Sequence, residues 1–150
     1  MADEWLVGII IVMYAKPNTY ILATDTIAFP YALIIDDEID ICFLLSNILK
    51  RSSFNVKSVN SLSAARDVLP QQQPQIVFID NHLGDGLGIE YIPEIKKIYP
   101  DTKVVMITAY DDEASRSTAK QNGADDFIPK PLYTAAVQNA LNTVSLKQVL

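Results

Sequence analysis

The sequence predicts an α/β domain in which a doubly wound, five-stranded parallel sheet carries helices on both faces. From Tyr31 onward, short apolar runs rich in β-branched residues alternate with stretches that have helical spacing. Alternation of this kind indicates βα units and a parallel sheet. The runs ALII, IVFI and VVMI are apolar at every position, as expected of strands that helices cover on both faces.

Five strands and five helices are predicted, in alternation. The strands cover residues 31–35, 54–59, 75–79, 103–108 and 126–128. The first four helices cover about residues 38–51, 61–69, 88–98 and 112–122, and the last runs from residue 132 to the end of the chain.

Capping and turn residues mark the boundaries of these elements. Asn60 and Ser61 supply an N-cap for the second helix. Pro74 and Pro100 lie between elements, where a missing N–H is tolerated. Gly123 ends the fourth helix, at a position where a left-handed residue is favoured.

Residues 1–30 do not follow the alternation and are treated as a lead that precedes a domain at 31–150. Residues 5–14 are apolar, but this run is too short to span a bilayer as a helix. Asp3 and Glu4 precede it, whereas a signal peptide begins with basic residues. Residues 5–14 and 20–29 can form two strands around Lys16-Pro17-Asn18. Such a pair can join an edge of the sheet, remain loosely ordered, or reflect an upstream start outside the functional domain.

Composition and charge argue against several classes of function. The chain has 150 residues, 49% of them hydrophobic and 20% charged, which suits one globular domain with its own core. A net charge of −6 argues against a direct nucleic-acid ligand. The single cysteine, Cys42, excludes an internal disulfide and fits a reducing, cytoplasmic location. Neither a membrane span nor a cleaved signal is assigned.

Polar residues follow four of the five predicted strands at the points where the strands end. The first strand is followed by Asp36-Asp37-Glu38 and the third by Asp80, while the fourth ends in Thr108 and the fifth leads into Lys130. Ligands bind at the carboxyl ends of the strands in an open parallel sheet. If the first and third strands are neighbours, their carboxylates lie close together.

A carboxylate cluster of this kind indicates a cation and a phosphoryl group. Like charges in one site disfavour ionisation, and Mg²⁺ relieves the repulsion by binding carboxylates, waters and phosphate oxygens. Lys130 and Thr108 can contact phosphate oxygens, so that Asp80 can act as a carboxylate nucleophile on phosphorus. Asp36, Asp37 or Thr108 taken singly would be better explained as a capping residue. The whole set, each member at the end of its own strand, favours a site.

These residues resemble the receiver domains of two-component response regulators. The likeness rests on Asp36-Asp37-Glu38 after ALII, Asp80 after IVFI, Thr108-Ala109 after VVMI and Lys130-Pro131 after FIP. The segment DNHLGDGLG that begins at Asp80 is similar to the family's loop after the phosphoacceptor, and GADDF at 123–127 to its approach to the fifth strand. The resemblance covers about residues 32–144 and implies the flavodoxin-like strand order 2-1-3-4-5.

The resemblance implies a phosphoacceptor and its metal ligands. Asp80 would be phosphorylated. Asp37, Asp80 and the backbone carbonyl of His82 would bind Mg²⁺ directly, and Asp36 would hold the ion partly through water. His82 is the only histidine, and the resemblance makes it a variable loop residue and not a phosphohistidine.

The resemblance also implies a switch. Thr108 and Lys130 would contact the phosphoryl oxygens, Thr108 and Phe127 would act as a coupled pair, and Lys130-Pro131 would be a cis peptide. Two positions depart from the family's pattern. Gly84 stands where a proline is usual, and the switch aromatic is Phe127, which has no hydroxyl.

The implied function is phosphorylation-dependent signalling. A sensor histidine kinase or phosphotransfer protein would donate the phosphoryl group, and the domain would catalyse its own phosphorylation and slow dephosphorylation, as a regulator and not as a turnover enzyme. No output domain follows the last predicted helix, so output would pass to a downstream protein partner by contact, or the chain is a piece of a longer protein. A homodimer through the face of the fourth helix, fifth strand and fifth helix is a further expected contact.

Two other functions stay open. A phosphohydrolase with an aspartyl nucleophile would carry a D-x-D motif after its first strand, whereas the sequence has Asp36-Asp37-Glu38 and no cap domain. An interaction module that does not use phosphate would have no need of the complete acidic set with Thr108 and Lys130.

Overall fold

A computed structural model of the chain describes residues 9–10, 25–26 and 29–144. Five strands form the main sheet and are numbered β1 to β5: Tyr31–Ile35, Asn55–Val59, Ile76–Asp80, Lys103–Thr108 and Asp126–Pro129. Helices α1 to α5 alternate with them: Ile39–Arg51, Leu62–Val68, Gly88–Ile98, Glu113–Gln121 and Thr134–Asn142. The predicted alternation is confirmed, with boundaries that differ by a residue or two, except that α5 ends at Asn142.

The strand order of the main sheet is β2-β1-β3-β4-β5, and all neighbouring strands are parallel. The predicted order 2-1-3-4-5 is therefore confirmed. From β1 the chain moves outward to β2 and then crosses back to β3 on the other side. The reversal leaves a crevice at the carboxyl ends of β1 and β3, where ligands of such sheets bind.

Alternate residues of the central strands face two separate cores. Leu33 and Ile35 of β1 pack with the apolar sides of α2, α3 and α4, whereas Ala32 and Ile34 pack with α1 and α5. Successive side chains of a strand point to opposite faces of a sheet. The uniformly apolar runs of the sequence are thus explained by burial on both sides.

Two helices begin at a side-chain N-cap, and one ends at a left-handed glycine. The Ser61 hydroxyl accepts a hydrogen bond from the backbone N–H of Ala64 at 3.1 Å, which confirms the predicted cap of α2. Asp112 caps α4 in the same way through Ser115. Gly123 follows α4 with φ +101°, a left-handed conformation that a glycine adopts without strain.

Two short antiparallel pairs lie outside the main sheet. Residues Ile9–Ile10 pair with Asp25–Thr26 in a two-stranded sheet of their own, so the strand pair considered for the lead is present at these residues and does not join the main sheet. The rest of the lead lies outside the described residues. His82–Leu83 pair with Gly86–Leu87 in the loop after β3, which the sequence did not predict. No helix within the described ranges is long and apolar enough to cross a bilayer.

Candidate functional site

Three aspartates meet at the crevice between β1 and β3. Asp36 and Asp37 follow β1, and Asp80 is the last residue of β3. Each offers a carboxylate oxygen, and these oxygens all lie within 4.8 Å of one another. Asp36 and Asp80 are buried, while Asp37 is exposed. The neighbouring strands therefore bring together the acidic residues that the sequence singled out, in a cluster that opens to solvent on one side.

Lys130 reaches this cluster from the end of β5, across the intervening β4. Its ammonium nitrogen lies 3.0 Å from Asp80 Oδ1 and 3.2 Å from Asp36 Oδ2, and it donates a short hydrogen bond to Glu38. Burial acts to lower the pKa of Lys130, but the hydrogen bonds to Glu38 and Asp80 and the charge of Asp36 outweigh it, so the pKa is raised above its ordinary value. The acidic residues around Lys130 therefore favour its charged form.

The two carboxylate oxygens of Asp36 have different partners. Its Oδ1 accepts a hydrogen bond from the backbone N–H of Glu38 at 2.8 Å. Its buried Oδ2 lies near Lys130 as an ion pair, but without hydrogen-bond geometry to any described residue. Burial raises the pKa of Asp36, although the Glu38 N–H and the Lys130 charge act to lower it.

The donor set fits a hard divalent cation. Three carboxylates lie together, and one buried oxygen has no hydrogen bond, which suits ions such as Mg²⁺ that prefer oxygen ligands. The nearby sulfur of Cys42 is occupied, because its thiol donates a hydrogen bond to the Asp36 carbonyl at 3.2 Å. Burial, with the Asp36 charge, raises the pKa of the Cys42 thiol, which disfavours the thiolate that binds metals.

The loop after β3 borders the acidic cluster through its backbone. The N–H of His82 donates a hydrogen bond to Asp80 Oδ2 at 2.9 Å. This places the His82 peptide beside the carboxylate, while metal binding by its carbonyl stays a prediction. Further along the loop, the Gly88 N–H donates to the Asn81 carbonyl at 2.8 Å, which closes the loop onto the start of α3.

Asp85 fixes the same loop to the neighbouring helix. Its two carboxylate oxygens accept hydrogen bonds, both of 2.9 Å, from the backbone N–H groups of Leu62 and Ser63 at the start of α2. These bonds hold the pKa of Asp85 below its ordinary value. Sequence reasoning did not identify this contact, because no local pattern relates Asp85 to α2.

Thr108 lies buried at the end of β4, next to the strand that carries Phe127. Its hydroxyl oxygen accepts a hydrogen bond from the Tyr110 N–H at 3.1 Å, which leaves its proton for another acceptor. Phe127 of β5 lies opposite Met106 of β4 and is partly buried. The Arg116 guanidinium lies 4.6 Å from the centre of the Phe127 ring. The predicted switch residues are thus on adjacent strands, and the aromatic ring has a cationic neighbour.

Two further contacts border the cluster. The rings of His82 and Tyr110 lie with centroids 5.1 Å apart, joining the loops that follow β3 and β4. The Glu38 carboxylate pairs with the Lys130 ammonium, a role that the sequence pattern after β1 does not predict. The Lys130–Pro131 peptide is cis, as the resemblance implied.

A family model and curated relatives both relate this chain to response regulators. Residues 32–142 match the family model of the response regulator receiver domain. The response regulator protein PilR of Pseudomonas aeruginosa is 37% identical over 112 residues, which are 75% of this chain and 25% of PilR. The regulatory protein RegA of Rhodobacter capsulatus is 27% identical over 73% of this chain and 59% of its own length. The chain thus spans about a quarter to three fifths of these relatives.

Solved structures resemble the chain as well. A response regulator from Burkholderia pseudomallei, described with a phosphorylated aspartic acid, a calcium ion and citrate, matches with a TM-score of 0.71 and 25% identity over 76% of this chain and 67% of that one. NtrX from Brucella abortus matches with a TM-score of 0.70 and 31% identity, over 79% of this chain and 28% of that one.

Proposed function

The chain belongs to the response regulator receiver family of two-component systems, and on that basis we propose that Asp80 accepts a phosphoryl group from a sensor histidine kinase or phosphotransfer protein. The observation that carries the proposal is the position of Asp80. Its carboxylate is buried at the end of β3, beside the Lys130 ammonium and two further aspartates.

The residues around Asp80 have the chemistry that phosphoryl transfer requires. An oxygen of Asp80 forms the new bond to phosphorus as the bond from phosphorus to the donor nitrogen breaks, and the donor imidazole leaves. Lys130 then gives up its contacts with the carboxylates for the phosphoryl oxygens, and the Thr108 hydroxyl donates its free proton to another of them. Positioned charge of this kind stabilises the transferring group.

Asp36, Asp37 and Asp80, with the carbonyl of His82, would hold Mg²⁺. When bound, the ion supplies positive charge that offsets the carboxylates and stabilises phosphoryl oxygens. The buried Asp36 oxygen that lacks a hydrogen bond supports this assignment. The same residues would account for the slow hydrolysis of the acyl phosphate by the domain itself.

Phosphorylation would be transmitted through Thr108 and Phe127. Movement of the Thr108 hydroxyl towards the phosphoryl group leaves space that the Phe127 ring can fill, and burying this ring leaves no hydroxyl without a partner. The ring would have to leave the Arg116 guanidinium that lies over it. The face of α4, β5 and α5 would then change shape for a downstream protein partner or for a homodimer. The phosphoryl group shifts this equilibrium only by its differential affinity for the two states.

Intact-mass analysis after incubation with acetyl phosphate and Mg²⁺ tests the nucleophile. The wild-type chain should gain one phosphoryl group that is stable to acid and labile to base. Asp80→Asn should gain none, whereas Asp67→Asn, which removes an exposed carboxylate on α2, should be labelled like the wild type. Unchanged labelling of Asp80→Asn would sink the assignment.

Two other results would favour the alternatives. Steady turnover of small phosphate esters would indicate a phosphohydrolase with an aspartyl nucleophile. Absence of labelling together with absence of Mg²⁺ binding would indicate an interaction module that does not use phosphate. The switch is tested separately by NMR of the Phe127 ring with and without beryllofluoride, and a single ring environment in both states contradicts it.

We further propose that the domain comprises residues 31–150, that the lead comprises residues 1–30, and that the protein acts in the cytoplasm. The single cysteine, which allows no internal disulfide, supports the location. Limited proteolysis followed by mass spectrometry tests the boundary, since the first stable fragment should begin near residue 31.

A further inference from the structure

A groove of about 650 Å³ lies at the opposite end of the sheet from the carboxylate cluster. The residues that line it include three aromatic ones, Phe29, Tyr31 and Phe54, and two basic ones, Lys50 and Lys57. It borders the first residues of β1 and β2, whereas the aspartates lie at the carboxyl ends of the strands. Because β2 is an outer strand of the main sheet, the groove lies beside an edge that can pair with a further segment.

The exposed groups of this groove suit a segment that is both acidic and aromatic. The side chain of Phe29 is 44% exposed although it is large and apolar. Lys50 and Lys57 are exposed and form no ion pair or hydrogen bond with the described part of the chain. The hydroxyl of Tyr31 is buried and has no hydrogen-bond partner there. An occupant would therefore gain by bringing apolar rings, carboxylates and a polar group.

The chain itself has such a segment, and it directly precedes the short strand pair in the sequence. Ile9 lies opposite Thr26 in an antiparallel pair, and Thr26 is three residues before Phe29. If the same register continued by three residues, it would set Leu6 opposite Phe29. On such a path, residues 1–8 would lead from the strand pair towards the groove, with Asp3-Glu4-Trp5 beyond Leu6.

We propose that residues 1–8 of this chain dock in the groove, with Trp5 against its aromatic rings and with Asp3 and Glu4 beside Lys50 and Lys57. The groove would then bind an acidic, aromatic peptide that is part of the same chain. Since it lies at the amino ends of the strands, docking leaves the carboxylate cluster open to a phosphodonor.

Trp5 is the only tryptophan of the chain, so its fluorescence reports docking directly. In the full-length wild type the emission should be shifted to the blue, and quenching by acrylamide should be severalfold weaker than for a free tryptophan derivative. The double variant Lys50→Glu/Lys57→Glu should shift the emission to the red and restore quenching. Acrylamide is uncharged, so the change in protein charge does not alter its access.

A second double variant controls for charge and helix stability. Lys97→Glu/Lys120→Glu makes the same change in net charge, and both lysines lie in the last turns of their helices, as Lys50 does in α1. This control should keep the blue-shifted, protected Trp5. Adding Asp3→Lys/Glu4→Lys to the Lys50→Glu/Lys57→Glu variant should restore protection by reversing both charges. Labelling of Asp80 by acetyl phosphate should be unchanged in all of them.

Three results would overturn the proposal. The first is a Trp5 in the wild type that is quenched as readily as free tryptophan. The second is protection that persists in the Lys50→Glu/Lys57→Glu variant. The third is protection that appears only at concentrations where sedimentation shows a dimer, because the groove would then hold the segment of a second copy.

Discussion

The sharpest test of the site's geometry is Gly88→Ala. A Cβ atom at Gly88 would lie 2.1 Å from the Asp80 carbonyl oxygen and 2.9 Å from the Ile79 side chain. Ordinary van der Waals contact begins at 3.4 Å, so the backbone of α3 and that of Asp80 must separate by about 1.3 Å. The atom nearest to the added Cβ belongs to the Asp80 backbone, so no flexible side chain can move aside to relieve this contact.

The expected cost follows from the size of this displacement. Inserting a methyl group into a well-packed site costs about 1–3 kcal/mol. The gain of alanine over glycine through helix propensity and unfolded-chain entropy is at most about 1 kcal/mol. A 2.1 Å contact with backbone lies at the upper end of that cost, so we expect Gly88→Ala to destabilise the fold by about 2 kcal/mol. It should also slow phosphorylation of Asp80, because the displaced backbone carries the nucleophile.

Gly84→Ala is the matched control. A Cβ there has no atom within 4 Å, so the free energy of unfolding should change by no more than about 0.5 kcal/mol. Both substitutions alter the unfolded chain alike, so their difference reports the clash less the helix-propensity gain of alanine at Gly88. Urea denaturation measures stability, and timed labelling with acetyl phosphate and Mg²⁺ measures the rate. If Gly88→Ala matches Gly84→Ala in both, the close approach of α3 to Asp80 is wrong.

Three further predictions follow from the contacts of the site. Asp37→Ala should lose the Mg²⁺-dependent rise in melting temperature and gain stability without metal through reduced repulsion, whereas Asp40→Ala should keep that rise; retention of it in Asp37→Ala rules out a ligand role. Replacing His82 and Tyr110 together with small polar residues should speed loss of the acyl phosphate by up to about tenfold, since an aromatic pair contributes about 0.5–1.5 kcal/mol, and an unaltered decay rate rejects their shielding role. The pKa of Asp85 is lowered in the fold, so the ionised Asp85 stabilises the fold at pH values above its ordinary pKa, and this stabilisation is lost as pH falls through the lower, folded pKa. In urea denaturation, the stability of Asp85→Asn should therefore differ from that of the wild type at neutral pH and converge with it in acid. A difference that stays constant with pH contradicts the capping contact.

Most of the fold could be predicted because its determinants are local. The runs around Leu33, Phe78 and Val105 are apolar throughout, and this pattern indicates buried parallel strands. Ser61 and Gly123 mark helix ends through their own backbone preferences. The short pair formed by residues 82–83 and 86–87 was not predicted, because such brief runs have no periodicity to recognise.

The sequence by itself determined which residues lie at the carboxyl ends of the strands, and so the membership of Asp36, Asp80 and Lys130 in one site. Only the tertiary structure decided how they meet. The contact between Lys130 and Glu38 joins residues 92 positions apart, and that between Asp85 and Leu62 joins residues 23 apart. Side-chain periodicity describes a residue's own element, whereas these contacts depend on how separate elements pack, and that is fixed only when the sheet and its helices are assembled.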